Sequence, residues 1–314
     1  MKKPSHSLAI LAVLALVTAF GAPARAAYNF TTIDFPSAFT TTASGISGSN
    51  IVGYYQNATG TYGFLYNGTS YSSINAPGAF TSGSSGTYAF GVSGGNVVGI
   101  YTDASGTNYG FLYNGSSYAP IDVSGSSYTT PFGISGSTIV GYYQDAAGVT
   151  HGFLYNGTTY SSIDVPGAIA TYALGVSGGN ISGYYLDSMG YHGFIYNGST
   201  YSTFNVPSAT NYTFAEGTSG NTVVGSYYDA IFNLHGFVYN GSTFTTVDVP
   251  GSSGTVIFGI DGSNIVGYYI DSLGGTDGFL GTPVPVPSAL LLLAPGLAGL
   301  ASFRFSRRAG QHRS

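Results

Sequence analysis

The sequence predicts an all-β protein, a six-bladed β-propeller of four-stranded blades, on three observations. A Gly-x-Ser-Gly-like element recurs at Gly45, Gly91, Gly133, Gly175, Gly217 and Gly259, with gaps of 46, 42, 42, 42 and 42 residues. Each interval repeats one order of four short apolar and aromatic runs, the size of a propeller blade. The sixth interval stops after Gly278-Phe279-Leu280 without its fourth run, and Tyr28-Asn29-Phe30-Thr31-Thr32-Ile33 matches what is missing. An N-terminal strand is therefore expected to complete the last blade and close the ring, which leaves no free sheet edge.

The third repeat shows each element in turn. Pro131-Phe132-Gly133-Ile134-Ser135 is the first strand and Thr138-Ile139-Val140-Gly141-Tyr142-Tyr143 the second. The second strand is apolar or aromatic on both faces, as a sheet sandwiched between two others requires. Gln144-Asp145-Ala146-Ala147-Gly148 forms a longer connection to the third strand, Gly152-Phe153-Leu154-Tyr155. Asn156-Gly157 predicts a tight two-residue hairpin, since both residues tolerate positive φ. It recurs at Asn67, Asn114, Asn197 and Asn240. The fourth strand starts at Tyr160 and ends before Asp164-Val165-Pro166-Gly167. A parallel solenoid is the rival architecture, but its coils do not double back through such hairpins. The longer first gap reflects an insertion, Thr81 to Gly86.

Composition supports this reading. The 314 residues include 49 Gly and 28 Tyr, no Cys and no Trp, and only 6% are charged. Hydrophobic content is 43%, enough to build a core without disulfides. All seven cations lie near the ends: Lys2, Lys3 and Arg25, then Arg304, Arg307, Arg308 and Arg313. The body, residues 27–281, has none. It cannot neutralise phosphates, so nucleic acid is excluded as a partner.

Residues 1–26 read as a secretory signal peptide: a basic start, the apolar run Leu8 to Phe20, and Ala24-Arg25-Ala26 for signal peptidase. Residues 282–314 carry Val284-Pro285-Val286-Pro287-Ser288, an apolar run from Ala289 to Phe303 expected to be helical, and the cluster Arg304, Arg307, Arg308. This tripartite tail resembles the PEP-CTERM sorting signal, although Val286 stands where that family usually has Glu. The resemblance implies transient membrane insertion, processing by an exosortase-type enzyme, and export across the inner membrane of a Gram-negative bacterium to the cell surface or beyond. A plain C-terminal membrane anchor is the alternative. The body, through His151-Gly152-Phe153-Leu154-Tyr155 and its counterparts, resembles HAF-type repeats, which implies an extracellular setting and defines no activity.

Candidate chemistry follows the repeat. Gly91-Val92-Ser93-Gly94-Gly95 and Gly175-Val176-Ser177-Gly178-Gly179 match the nucleophile-elbow pattern, but that motif needs a strand–turn–helix context, and repeat punctuation explains them better. His151, His192 and His235 occupy equivalent places in successive blades and should lie apart, not converge as a metal triad. Asp103, Asp145, Asp187, Asp229 and Asp271 follow the second strands at a spacing of 42; Asp34, Asp122, Asp164 and Asp248 follow the fourth, with Asn75 and Asn205 at the same position in other repeats. Asp in a turn commonly bonds its own backbone. The functional alternative for the first series is Ca²⁺, which takes oxygen ligands; no other cofactor is indicated. Tyr71, Tyr118, Tyr160 and Tyr201 begin fourth strands and are candidates for stacking on sugars if exposed.

These readings favour a non-enzymatic surface or matrix protein that binds exopolysaccharide or another envelope component. A purely structural matrix protein without a specific ligand is the alternative. A carbohydrate-active enzyme is a third, for which Glu216, the only Glu, is the first residue to test. A glycosidase needs two convergent carboxylates.

Overall fold

A computed structural model describes residues 28–284, and they form 24 strands and no helix. The chain opens with β1 (Tyr28–Ile33). Blade one holds β2 (Thr40–Ser47), β3 (Asn50–Asn57), β4 (Gly60–Tyr66) and β5 (Tyr71–Ile74). Blade two holds β6 (Thr87–Ser93), β7 (Asn96–Thr102), β8 (Asn108–Tyr113) and β9 (Tyr118–Ile121). Blade three holds β10 (Tyr128–Ser135), β11 (Thr138–Gln144), β12 (Thr150–Tyr155) and β13 (Tyr160–Ile163). Blade four holds β14 (Ala170–Ser177), β15 (Asn180–Asp187), β16 (Gly190–Tyr196) and β17 (Tyr201–Phe204). Blade five holds β18 (Thr213–Ser219), β19 (Thr222–Tyr228), β20 (Leu234–Tyr239) and β21 (Phe244–Val247). Blade six holds β22 (Gly254–Asp261), β23 (Asn264–Ile270) and β24 (Thr276–Pro283), and β1 pairs antiparallel with β24 as its fourth strand.

The ring closes as the repeat order demands. β1 aligns Tyr28 with Pro283 and Ile33 with Gly278, so β24 extends two residues past the boundary expected at 281. Along the axis the first strands approach so closely that only glycine fits. A Cβ on Gly91 would stand 2.4 Å from the carbonyl oxygen of Phe132 in the next blade, and one on Gly259 would stand 3.2 Å from that of Ser44. Blade six thus meets blade one on the axis as well as through β1.

Six apolar clusters fill the interfaces between successive blades. That between blades six and one joins Ile33 and Val266 to Ile46, Ile51 and Phe64. Phe64, Phe111, Phe153, Phe194, Phe237 and Phe279 are all sealed from solvent. Each lies across from a second-strand glycine, as Phe153 does from Gly141. A Cβ on Gly141 would meet the Thr130 carbonyl oxygen at 2.0 Å and the Phe153 ring at 2.7 Å. Glycine is retained there because the buried ring leaves no room for a side chain.

The turns differ from expectation in one respect. The two-residue turn belongs to the first hairpin, where Ser135 pairs with Thr138 across Gly136 at φ 61°. At Asn156-Gly157 the paired residues are Tyr155 and Tyr160, which leaves a four-residue loop. Only Gly157 takes positive φ; the side-chain Oδ1 of Asn156 instead accepts hydrogen bonds from the amides of Thr158 and Thr159, both at 2.9 Å. The side-chain cap replaces the left-handed backbone that a two-residue turn would need.

Strand direction gives the ring two unlike ends. The short Gly-Ser and Asn-Gly turns lie on one, here the turn face. The interblade links and the loops between second and third strands lie on the other, the carboxylate face. The chain enters β1 and leaves β24 on the turn face. Residues 1–27 and 285–314, with the signal peptide, the apolar helix and all of the sorting motif except Val284, lie outside the described residues.

Candidate functional site

Both aspartate series sit on the carboxylate face, and the structure brings them together within blades. The Asp145 carboxylate accepts hydrogen bonds from the amides of Ala147 and Val149, both at 2.9 Å, which folds its own loop. Asp103 and Asp229 do the same for theirs. Their carboxyls are held below the ordinary range: in Asp103 chiefly by the Ser105 hydroxyl, and in Asp229, at about 2, chiefly by the Asn233 amide.

Histidines bridge the two series. His151 spans Asp164 at Nδ1 (3.1 Å) and Asp145 at Nε2 (3.4 Å). His235 spans Asp248 (2.9 Å) and Asp229 (3.4 Å); His192 spans Asn205 (2.8 Å) and Asp187 (3.1 Å). Burial opposes charge on His235, but Asp248 and Asp229 outweigh it and raise its pKa. In blade six Asp277 takes the bridging position, and burial, with Asp34 and Asp271 nearby, raises its carboxyl. Sequence spacing placed the histidines apart from one another; it did not show that His151 and His235 each join two acids or that His192 joins Asp187 to Asn205. The signal was available in the alternation of strand three, which puts His151 opposite Tyr143 near the loop of Asp145.

The five Ca²⁺ candidates stand one per blade, and among the described residues no three His, Cys, Asp or Glu side chains converge as a metal centre. The Ser93 and Ser177 hydroxyls accept from the amides of Gly136 and Gly220 in the next blade, at 3.0 and 3.1 Å.

The four tyrosines named as stacking candidates if exposed are half-buried. The Tyr160 hydroxyl accepts from the Asp122 amide of the preceding blade at 3.1 Å, and its ring packs edge-on against Phe153. Tyr71, Tyr118 and Tyr201 bond the backbones of Asp34, Asn75 and Asp164 in the same way, and burial pushes Tyr118 and Tyr201 up to about 12. They latch one blade to the next. Of the four, only Tyr118 lines the cleft described next.

That cleft lies in blade two and has a volume of about 550 Å³. Tyr101 and Tyr109, paired across β7 and β8, form its aromatic wall with ring centroids 5.3 Å apart and planes at 24°. Tyr109, 44% exposed, occupies the position that holds histidine in blades three to five. Pro77, Pro120, Asn108 and Asp122 complete the rim. The space has a local cause. The link residue over the second-strand tyrosine is Phe35, Val123, Val165, Val206 or Val249 in the other blades, and Phe35 stacks on Tyr55 at 3.7 Å. In blade two it is Ala76. A counterpart in blade six, under Val249 and Pro250 beside Tyr269, measures about 330 Å³. The sequence contained this signal as the one Ala among bulkier link residues.

The same face carries nearly all the exposed large apolar side chains of the described residues, among them Phe39, Met189, Ile231, Phe232 and Leu273. Only Val284 lies elsewhere.

No protein-family model matches the chain, and no curated protein does. Solved structures do show likeness. The Aleuria aurantia lectin in complex with α-methyl-L-fucoside is 16% identical, with 80% of this chain and 97% of that one covered and a TM-score of 0.45. The β-propeller domain of the Trilobed protease from Pyrococcus furiosus is 7% identical, with coverage of 79% and 98% and a TM-score of 0.49. Trypanosoma rangeli sialidase is 9% identical, with coverage of 85% and 57% and a TM-score of 0.47. At these values neither fold nor function is transferred; the fold rests on the chain's own strand pairing.

Proposed function

We propose that this is an exported, non-enzymatic propeller that binds a neutral extracellular polysaccharide through the blade-two cleft. The observation that carries the reading is the Tyr101–Tyr109 wall, exposed beside Asn108 and Asp122 in a cleft of about 550 Å³. Ligand pockets run to roughly 300–1,000 Å³ and combine apolar walls with a few polar groups that fix orientation. Sugar rings offer C–H faces to aromatic side chains and hydroxyls to carboxylates and amides. With no Lys or Arg between residues 27 and 281 and carboxylates on the same face, an anionic polymer would be repelled.

Export is supported by the signal-peptide pattern and the PEP-CTERM-like tail. Because the chain leaves β24 on the turn face, an anchor formed by the tail would direct the carboxylate face away from the membrane. Against an enzyme stands Glu216. It points into a narrow axial channel, and no second carboxylate shares that cavity among the described residues.

The test is binding of the purified protein to a panel of neutral and uronate-rich exopolysaccharides. Saturable binding to a neutral polymer, weakened by Tyr109→Ala, is expected. Absence of binding to every polymer by a folded sample would leave the purely structural role in its place.

A further inference from the structure

The channel on the propeller axis holds the chemistry that the cleft does not use. The first strand of each blade carries a β-bulge between its alanine- and glycine-type positions, as at Ala215 and Gly217 in β18. Bulges re-aim a side chain, and here the bulged residue turns onto the axis. The six such residues are Ser44, Phe90, Phe132, Leu174, Glu216 and Phe258, and all line one cavity of about 80 Å³. Phe90 stacks on Phe132 at 4.8 Å, and Phe132 reaches Phe258 across the ring at 6.4 Å.

Two of these six side chains are polar, and the third polar side chain of the lining, Thr218, is occupied by donating to the Thr222 carbonyl at 3.0 Å. Glu216 is 8% exposed, and burial alone, with no offsetting hydrogen bond or cation, pushes its carboxyl up to about 8. Ser44 is 4% exposed, and its hydroxyl has no hydrogen-bond partner. They flank Phe258 in the ring order. A buried carboxylate and a buried hydroxyl without partners are both costly. The protein supplies no counter-charge, since the body has neither Lys nor Arg. Tyr142, Tyr184 and Tyr268 lie near enough to feel the Glu216 charge, and burial holds all three hydroxyls neutral, two of them at about 12 and Tyr184 well above its ordinary value. Glu216 is the group there that ionises near neutral pH.

The geometry points to an axial site for a small monovalent cation, an alkali ion or an ammonium group, bound by the Glu216 carboxylate with the Ser44 hydroxyl as a further ligand. Phenyl rings of Phe90, Phe132 and Phe258 line the same cavity, and aromatic faces attract such ions. One carboxylate offsets a single positive charge, so a divalent ion would remain uncompensated in a cavity with no second acid among the described residues. A larger organic ligand is excluded by size, because 80 Å³ is well under the roughly 300 Å³ lower bound of ordinary ligand pockets. Several waters' worth of space is nonetheless present, at about 30 Å³ each in the liquid.

Glu216 is the only Glu in the chain, so protein labelled with ¹³C at the glutamate side-chain carboxyl reports on this residue alone. Its signal would be titrated from pH 5 to pH 10 in the full-length protein, in choline chloride and in sodium, potassium or methylammonium chloride at equal ionic strength. The midpoint should lie near 8 in choline. At least one small cation should lower it by a unit or more, a tenfold change in proton affinity, and the three salts separate alkali ions from ammonium. Ser44→Ala, which keeps the reporting carboxyl, should shrink that displacement. A midpoint identical in all four salts would overturn the site, as would a displacement that Ser44→Ala leaves unchanged.

Discussion

The Asp261 carboxylate accepts a hydrogen bond from the Gly48 amide at 2.6 Å, joining residues 213 positions apart and the last blade to the first. Ser47, Ser93, Ser177 and Ser219 make the equivalent contact to Gly94, Gly136, Gly220 and Gly262 of the next blade. The recurring Gly-x-Ser-Gly is thus an interblade clasp, with Asp in place of Ser at the closing blade. Asp261→Ala should cost about 1 kcal/mol in urea unfolding, while Asp261→Ser should restore most of the loss.

Gly141→Ala should be strongly damaging, because Gly141 is buried between Val140 and the Phe153 ring. The added Cβ collides with backbone and with the buried Phe153 ring, neither of which can yield. A loss of at least about 3 kcal/mol is expected, at the top of the range for overpacking, read as a drop in denaturant midpoint. The turn-face Gly157→Ala should be milder, its penalty limited to the left-handed backbone.

Ser182 occupies a place that is Val in the other five blades, and its buried hydroxyl has no hydrogen-bond partner. Ser182→Val removes the unpaired polar group and adds apolar contact at the interface of blades four and five. It should raise stability by about 1–2 kcal/mol, seen as a higher Tm.

Glu216 makes stability depend on pH. Its folded pKa of about 8 lies above the ordinary carboxylate value near 4.5, so folding favours the protonated form. The native state therefore holds one more proton than the unfolded chain between these values. Without a bound cation, its contribution is greatest below about pH 4.5, falls by about 1.4 kcal/mol per pH unit as pH rises, and levels off above 8. Glu216→Gln should remove this slope from denaturant melts run between pH 5 and 9 in choline buffer.

Much of the architecture is written in repetition. The 42-residue period, the Val-Gly-Tyr second strands and the orphan strand Tyr28–Ile33 each follow from a local rule, and the ring follows from them together. The site resides in departures from the period, which a repeat consensus averages away. Ala76 in place of Val and Glu216 in place of Phe each occur in one blade, and Tyr109 stands, as Tyr62 does in blade one, where three blades have His; their meaning depends on what packs beside them. Tyr71 and its counterparts misled because strand-start position does not reveal that the preceding blade covers the hydroxyl. The Asn-Gly loops misled because the Asn side chain satisfied the backbone by a route other than positive φ.

The central claim, carbohydrate binding in the blade-two cleft, is tested most directly by calorimetric titration of a bound oligosaccharide into wild-type protein and Ala76→Val. The substitution restores the link residue of most other blades and fills the space over Tyr101 without touching the exposed rim. Wild-type protein should bind, and Ala76→Val should fold with unchanged or higher Tm and lose at least tenfold in affinity. Undiminished binding by a folded Ala76→Val protein would contradict the account.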